Sequence, residues 1–149
     1  MQVMVNWKVM FFDSPKVIHR VDRASRSVLS KFGSFVRTAA RSSIRPRKKS
    51  SKPGNPPTSH SGMLRRFIFF GYSQQLTSVV IGPAKLNAKK GNVPEVLEYG
   101  GKSNIFSYDS SVKKKVKKSV RISARPYMRP AFAKQMPMLP ALWKNSVKP

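Results

Sequence analysis

Apolar residues recur at three- and four-residue spacing over residues 14–43, and basic residues take most of the positions between them. The apolar positions are Val17, Ile18, Val21, Ala24, Val28, Leu29, Phe32, Phe35, Val36 and Ala39. This spacing places them on one side of an α-helix. Ser14 can accept hydrogen bonds from free backbone N–H groups, and Pro15 has a φ already suited to a helix. The pattern therefore predicts one long amphipathic helix over residues 14–43.

Shorter runs with alternating or β-prone residues predict strands elsewhere. Residues 2–12 alternate loosely between apolar and polar and predict a strand. Residues 64–83 hold two β-prone runs around residues 71–75 and predict a hairpin. Residues 104–123 predict a second hairpin that turns at residues 109–111. Because lysines decorate its return strand, we expect this hairpin to project from the domain.

The sequence indicates two further helical segments in its C-terminal half. Residues 94–99 predict a short helix, closed by the glycines at 100–101. A terminal helix is expected to start at residues 129–130, Arg-Pro, because proline suits the first helical turn. Pro137 and Pro140 would interrupt it, since proline lacks the N–H that a continuous helix requires. The sequence predicts a broken terminal helix.

Together these elements predict a single α+β domain over residues 1–149. We expect a long amphipathic N-terminal helix packed on a mostly antiparallel β-sheet, with a projecting basic β-hairpin and a broken C-terminal helix. Residues 44–62 are polar, basic and rich in proline, which predicts a flexible exposed loop. Residues 102–123 form a lysine-rich hairpin insertion within the domain.

The charge of the chain points to a polyanionic partner. Thirty Lys and Arg residues against five acids give a net charge of +25, which repels itself unless anions lie nearby. Nucleic acid, an anionic membrane surface and an acidic protein face all satisfy this charge. No apolar segment approaches the ~20 residues of a membrane span, and packing in the domain is favoured over membrane binding for the basic helix. The candidate contact residues are Arg45, Arg47, Lys48, Lys49, Lys113, Lys114, Lys115, Lys117 and Lys118.

Groups that could perform chemistry are few. The chain has no Cys, and its two histidines, His19 and His60, do not form a zinc-binding pattern. The sequence contains neither a GxSxG nucleophile elbow nor a glycine-rich phosphate loop. Glu95 and Glu98 share a helical spacing, but ion pairing with the many cations is favoured over acid–base work. We expect no enzyme activity, no cofactor and no metal.

Four short motifs follow one another along the chain. Residues 58–66, Thr-Ser-His-Ser-Gly-Met-Leu-Arg-Arg, come after the long helix and the Pro-rich loop, and a strand pair then ends near residues 80–82, Val-Ile-Gly. Residues 96–101 are Val-Leu-Glu-Tyr-Gly-Gly, and residues 124–132 are Ala-Arg-Pro-Tyr-Met-Arg-Pro-Ala-Phe. In order and spacing, over nearly the whole chain, these motifs resemble the neck or tail-completion family of long-tailed bacteriophages. Members are often described as minor tail or tail-component proteins.

Individual motifs carry the resemblance to different degrees. The first is similar to the family's Pro-x-x-Thr-Gly-x-Leu-Arg signature, with two residues inserted between Ser59 and Gly62. The third looks like Tyr-x-x-x-Val-Glu-x-Gly-Thr with a final Gly, and the fourth is very close to Ala-Arg-Pro-Phe-Met-Arg-Pro-Ala-Leu. The lysine-rich insertion and the high charge depart from the family. The matching structural or interface residues are Gly62, Leu64, Arg65, Glu98, Tyr99, Gly100, Arg125, Pro126, Met128, Arg129 and Pro130.

The resemblance implies a structural virion protein that forms a homo-oligomeric ring at the head–tail junction. The implied partners are the connector proteins (portal adaptor or head closure) and the tail terminator or tail tube, with non-specific DNA contact in the channel. The implied locations are the virion neck and, during assembly, the host cytoplasm. Arg125 and Arg129 would pair with Glu98 or with a neighbour's acid, an intramolecular brace being slightly favoured. The alternative is a basic RNA- or DNA-binding module, such as a ribosome-associated protein, which explains the charge but not the motifs.

Overall fold

The computed structural model describes residues 14–84, 93–109, 114–144 and 146, but not the side chains of residues 105–109 and 114–115. The predicted strand over residues 2–12 lies outside them. The elements are α1 (Ser14–Ser43), α2 (Met63–Arg66), β1 (Ile68–Ser73), β2 (Ser78–Pro83), α3 (Val93–Tyr99), β3 (Gly101–Asp109), β4 (Lys114–Ile122), α4 (Met128–Gln135), a 3-10 turn (Met136–Met138) and α5 (Leu139–Trp143). The predicted α+β class is confirmed.

Helix α1 supplies most of the core and has the bounds that its sequence pattern predicts. Its apolar stripe is buried only from Ala24 onward. Val28, Phe32, Val36 and Ala40 continue the buried stripe at helical spacing, each at most 5% exposed. The first turns, by contrast, are exposed along their apolar positions in the described part of the chain. The C-terminal two thirds of α1 therefore form the support on which the other elements pack.

The hairpin β1–β2 covers one side of α1. Ile68 pairs with Pro83 at its base, and the strands run antiparallel to a turn at residues 74–77. The predicted hairpin is confirmed, but its turn lies further along the chain than residues 71–75. Gly71 pairs with Val80 inside the ladder, so this glycine lies within a strand and not in the turn.

A glycine in α1 lets this hairpin approach the helix closely. A Cβ atom at Gly33 would lie 2.8 Å from Cγ2 of Val79 and 3.0 Å from Cδ2 of Phe70. The Nε of Arg37, one turn further along, donates a hydrogen bond of 2.9 Å to the carbonyl oxygen of Ile68. Close packing and this hydrogen bond together fix the position of β1 on α1.

The C-terminal helices also pack on α1 and contribute to the same core. Ala131 of α4 is 5% exposed, and the ring of Phe132 meets that of Phe32 edge-on at a centroid distance of 5.7 Å. The 3-10 turn that contains Pro137 separates α4 from α5, and Pro140 lies in the first turn of α5. The predicted broken terminal helix is confirmed.

The strands of the described residues form two separate two-stranded sheets, β1–β2 and β3–β4, where the sequence predicted one mostly antiparallel sheet. We call β3–β4, Gly101–Ile122, the arm. Its register runs from Gly101 paired with Ile122 to Asp109 paired with Lys114, and the residues of its predicted turn beyond 109 lie outside the described part. The arm packs mainly on α3, whereas β1–β2 packs on α1. The arm is therefore an extension of the domain and not a layer of its core.

Candidate interface for anionic partners

The carboxylate of Glu98 caps helix α4 from a distance of some thirty residues in sequence. Its Oε2 accepts hydrogen bonds from the backbone N–H groups of Tyr127 (2.9 Å) and Met128 (3.0 Å), and its Oε1 accepts one from Arg129 (2.8 Å). The first N–H groups of a helix have no partner within the helix, and a negative charge is favourable there. We call this set of three hydrogen bonds the brace.

Two further contacts join the same segments. The backbone N–H of Arg125 donates to the carbonyl oxygen of Leu97 at 2.6 Å. Gly100 ends α3 with a φ of 78°, and its N–H donates to the carbonyl oxygen of Val96 at 2.9 Å. A Cβ atom at Gly100 would lie 3.1 Å from the backbone nitrogen of Ala124. A glycine is therefore required here both by conformation and by the close approach of the two segments.

The side chains of Arg125 and Arg129 contact other groups than Glu98, the partner that the sequence analysis favoured. The Nε of Arg125 donates a hydrogen bond of 3.1 Å to the carbonyl oxygen of Ser51. The Nη1 of Arg125 donates one of 3.5 Å to the carbonyl oxygen of Ser123. The guanidinium carbon of Arg129 lies 5.8 Å from the ring centroid of Tyr99, a cation–π geometry. The predicted pairing of the Arg125 and Arg129 guanidinium groups with Glu98 is therefore not observed, and backbone N–H groups bind the carboxylate of Glu98 instead.

The remaining motif residues divide between packing and surface. Leu64 and Met128 pack against the core. Gly62, with a φ of 71°, precedes the short helix α2. The half-buried residues of the set are Gly62, Leu64, Glu98, Gly100, Arg125, Pro126 and Met128, and the exposed ones are Arg65, Tyr99, Arg129 and Pro130. Most of the motif residues therefore hold the fold together, and fewer are available to a partner.

Tyr127 is a central residue that the sequence pattern did not single out. It lies in the irregular segment before α4, where no periodicity marks a core position, yet it is only 1% exposed. Burial, and in second place the negative charge of Glu98, raise the pKa of Tyr127 above its ordinary value. The phenol is therefore held neutral beside the brace. Its place in the fourth motif was the only signal that could have found it.

The basic loop, residues 44–62, folds back on itself and is tied to the brace segment. Apart from an isolated bridge between Arg45 and Thr58, it has neither helix nor strand before α2, as predicted. The hydroxyl of Thr58 donates to the carbonyl oxygen of Lys49 (3.0 Å), and the N–H of Gly54 donates to that of Ala124 (2.9 Å). These hydrogen bonds give the loop a defined shape. The mobility that its composition predicts stays a prediction.

A cleft of about 860 Å³ opens between the basic loop, the end of α1 and the start of α4. We call it the basic cleft. The cations that line it are Arg45, Arg47, Lys49, Lys52 and Lys134. None of the described residues that line it is acidic. Three of the predicted contact residues in the loop thus face one concave surface, while Lys48 does not line it.

The predicted lysines of the arm do not form one patch. Lys117 and Lys118 are both exposed, but they are consecutive residues of β4, and successive side chains of a strand point to opposite faces. Lys114 and Lys115 belong to β4 by their backbone, and Lys113 lies outside the described residues. The arm therefore presents cations on both faces of its ribbon, and the cleft is a separate basic surface.

The described residues show no other arrangement that points to chemistry. Among them, no three His, Cys, Asp or Glu side chains come together in a way that could hold a metal ion. No helix among them has both the length and the apolar character to cross a membrane. What the arrangement offers is positive charge on the arm and in the basic cleft.

No protein-family model, curated protein or solved structure matches the chain. Fold and site define a small α+β protein with two basic surfaces on a braced core. Its function is therefore inferred from its motifs and its geometry.

Proposed function

We propose that this chain is a structural, non-enzymatic subunit of a large assembly. More specifically, we propose that it forms a homo-oligomeric ring at the head–tail junction of a long-tailed bacteriophage, joining connector to tail around the DNA channel. The observation that carries the proposal is the brace. The third and fourth motifs of the phage resemblance meet there, through Glu98 and the N–H groups of residues 127–129.

The contacts beside the brace support this proposal because they hold the two ends of the arm together. Strand β3 begins directly after Gly100, and β4 ends at Ile122, shortly before Ala124 and Arg125. The hydrogen bond from Arg125 to Leu97 and the tight approach at Gly100 hold these two ends together on the core. A rigid base for a projecting arm is what a subunit needs to place that arm on a neighbour in a fixed direction.

The arm itself is suited to contacts between subunits. A two-stranded ribbon is marginally stable alone in water, and this one packs mainly on α3. Val116 in its outer part is 42% exposed. A ring requires head-to-tail contacts between different surfaces of identical subunits. The arm supplies one such surface, and packing on the next subunit would stabilise it.

The net charge of +25 supports a position near DNA or near acidic neighbours. Exposed cations such as Lys117 and Lys118 contact phosphates without reading sequence. Each neutralised phosphate contributes about 0.9 to the slope of log affinity against log salt. Such contacts weaken steeply with salt, which suits a channel that DNA has to leave during ejection.

A joining assay tests the proposal. A phage stock that lacks this protein should accumulate filled heads and separate tails, and adding the purified chain should restore joined particles in electron micrographs. Replacing the arm, residues 102–121, by a short Gly-Ser linker should abolish this restoration while circular dichroism still shows the α1 core. Efficient joining without the protein would contradict the proposal.

The second candidate is a basic RNA- or DNA-binding module, for example one that associates with ribosomes. The observation in its favour is the exposed cations on both faces of the arm. Treatment of a lysate with ribonuclease separates the two: a ring subunit stays with its particles, whereas an RNA-bound module is released. Release would replace the phage proposal with this one.

A further inference from the structure

We infer that the basic cleft is a docking site for an acidic peptide segment of a different protein. The inference rests on the proposed function only for the identity of that protein, a neighbour in the head–tail junction. The chemistry of the docked segment follows from the cleft alone.

The cleft has a defined shape. Ile44, which lies between the lining residues Ser43 and Arg45 in the chain, is 1% exposed, and Pro57 of the lining is also buried. Arg125 and Gly54 tie the loop to the brace segment through Ser51 and Ala124. A surface held in this way costs less to organise on binding than a solvated loop does, so more of its interaction energy appears as affinity.

The charge of the cleft selects an anion. Among the residues that the structure describes, five cations and no acid line the cleft. Of the acids whose side chains the structure describes, Glu98 is engaged by three N–H groups, Asp22 lines another cavity, and Glu95 lies exposed on α3 outside the lining of the cleft. None of these three neutralises the cleft, so its positive charge is open to an external partner.

The shape and the apolar part of the lining favour a peptide over a nucleic acid. The volume of about 860 Å³ is that of a cleft for a small molecule or a short peptide segment. A convex duplex would meet the rim cations but not fill the interior. Within the described lining, the aromatic residue is Tyr127, whose ring is buried in the core and offers no face for stacking bases. Pro56, which is half-buried, and Pro130, which is exposed, supply apolar contacts of the kind that a peptide side chain uses.

The occupant does not come from a second copy of this chain. The five acids of the sequence are scattered, and no two of them are adjacent. The densest pair, Glu95 and Glu98, lies on α3, where Glu98 forms the brace. An acidic segment with apolar residues between its carboxylates therefore has to be supplied by another protein.

Fluorescence anisotropy with a labelled peptide of alternating Glu and Leu tests the inference. We expect the wild-type protein to bind it, and the matched peptide of alternating Gln and Leu to bind at least about tenfold more weakly. The double variant Arg47→Glu, Lys49→Glu should lose at least about tenfold in affinity for the acidic peptide, since two charge-assisted contacts become repulsive. The double variant Lys117→Glu, Lys118→Glu changes the net charge equally on the arm and should bind like wild type.

Three outcomes would overturn the inference. One is an equal loss in both double variants, which would mean non-specific attraction to the overall charge. Another is the absence of peptide binding to wild type, with the protein shown to be folded by its thermal melt. A third is tighter binding of a single-stranded oligonucleotide that the cleft variant loses and that competes with the peptide, which would assign the cleft to nucleic acid. None of these depends on head–tail joining, so failure here leaves the proposed function to its own assay.

Discussion

Removing the carboxylate of Glu98 should destabilise the whole domain, although Glu98 lies outside the hydrophobic core. In Glu98→Ala the N–H groups of Tyr127, Met128 and Arg129 lose their acceptor at the start of α4. Tyr127 is buried, so its N–H is poorly placed to find water in exchange. The same change removes a negative charge from the positive end of the helix dipole.

The size of the effect follows from these three hydrogen bonds. Loss of a helix N-cap costs about 0.5–2 kcal/mol, and a buried donor left without acceptor costs about 1–3 kcal/mol. Because Arg129 is exposed and water can replace part of the lost contact, we expect a total of about 3 kcal/mol. For a chain of this length, about 2–4 °C of Tm corresponds to each kcal/mol, so Tm should fall by about 6–12 °C.

Thermal unfolding followed by circular dichroism measures this shift, and Glu95→Ala is the matched control. Glu95 lies on the same helix and is exposed, so its replacement should change stability by no more than about 0.5 kcal/mol. Glu98→Gln keeps the size and one acceptor oxygen and should fall between wild type and Glu98→Ala. Equal Tm values for the Glu98→Ala and Glu95→Ala variants would refute the assignment of Glu98 as the cap of α4.

Three further predictions concern the packing around the brace and the core. Gly33→Leu should destabilise by about 2 kcal/mol or more in urea unfolding, because Val79 and Phe70 occupy the space of the new side chain, whereas Ser27→Leu on the exposed face should not. Gly100→Ala should cost about 1–3 kcal/mol in the same assay, because its φ of 78° strains any side chain and Ala124 lies close. In alkali, Tyr127 ionises near its ordinary pKa of 10.0 when unfolded but higher when folded. Below pH 10 the phenol is neutral in both states, so its burial contributes fully to the free energy of unfolding. Above that pH, wild type should lose about 1.4 kcal/mol per pH unit more than Tyr127→Phe, and parallel pH profiles would contradict this.

The sequence predicted those elements whose residues repeat at a regular spacing. Helix α1 was predicted with its observed bounds because ten apolar positions follow one helical face, and the proline positions located the break after α4. The hairpin turn after β1 was misplaced because Gly71 is compatible with both a turn and a strand. Regular patterns specify local structure, whereas a lone glycine does not.

The site was predictable only in part, since its contacts join segments far apart in the chain. The motif resemblance selected Glu98 and the segment around Arg129, but residue types suggested an ion pair where the structure has backbone N–H donors. The basic cleft joins the end of α1, the loop and Lys134, a combination that no spacing in the sequence reveals. The opposite orientation of Lys117 and Lys118, by contrast, follows from strand alternation and was available in the sequence.

The most direct test of the proposed role is to locate the protein on particles. Gold-labelled antibody against this chain should mark the junction between head and tail in electron micrographs of the phage that encodes it, and nowhere else on the particle. Particles without label, with the antigen sedimenting alongside ribosomes in the same lysate, would contradict the head–tail assignment and favour the RNA-binding alternative.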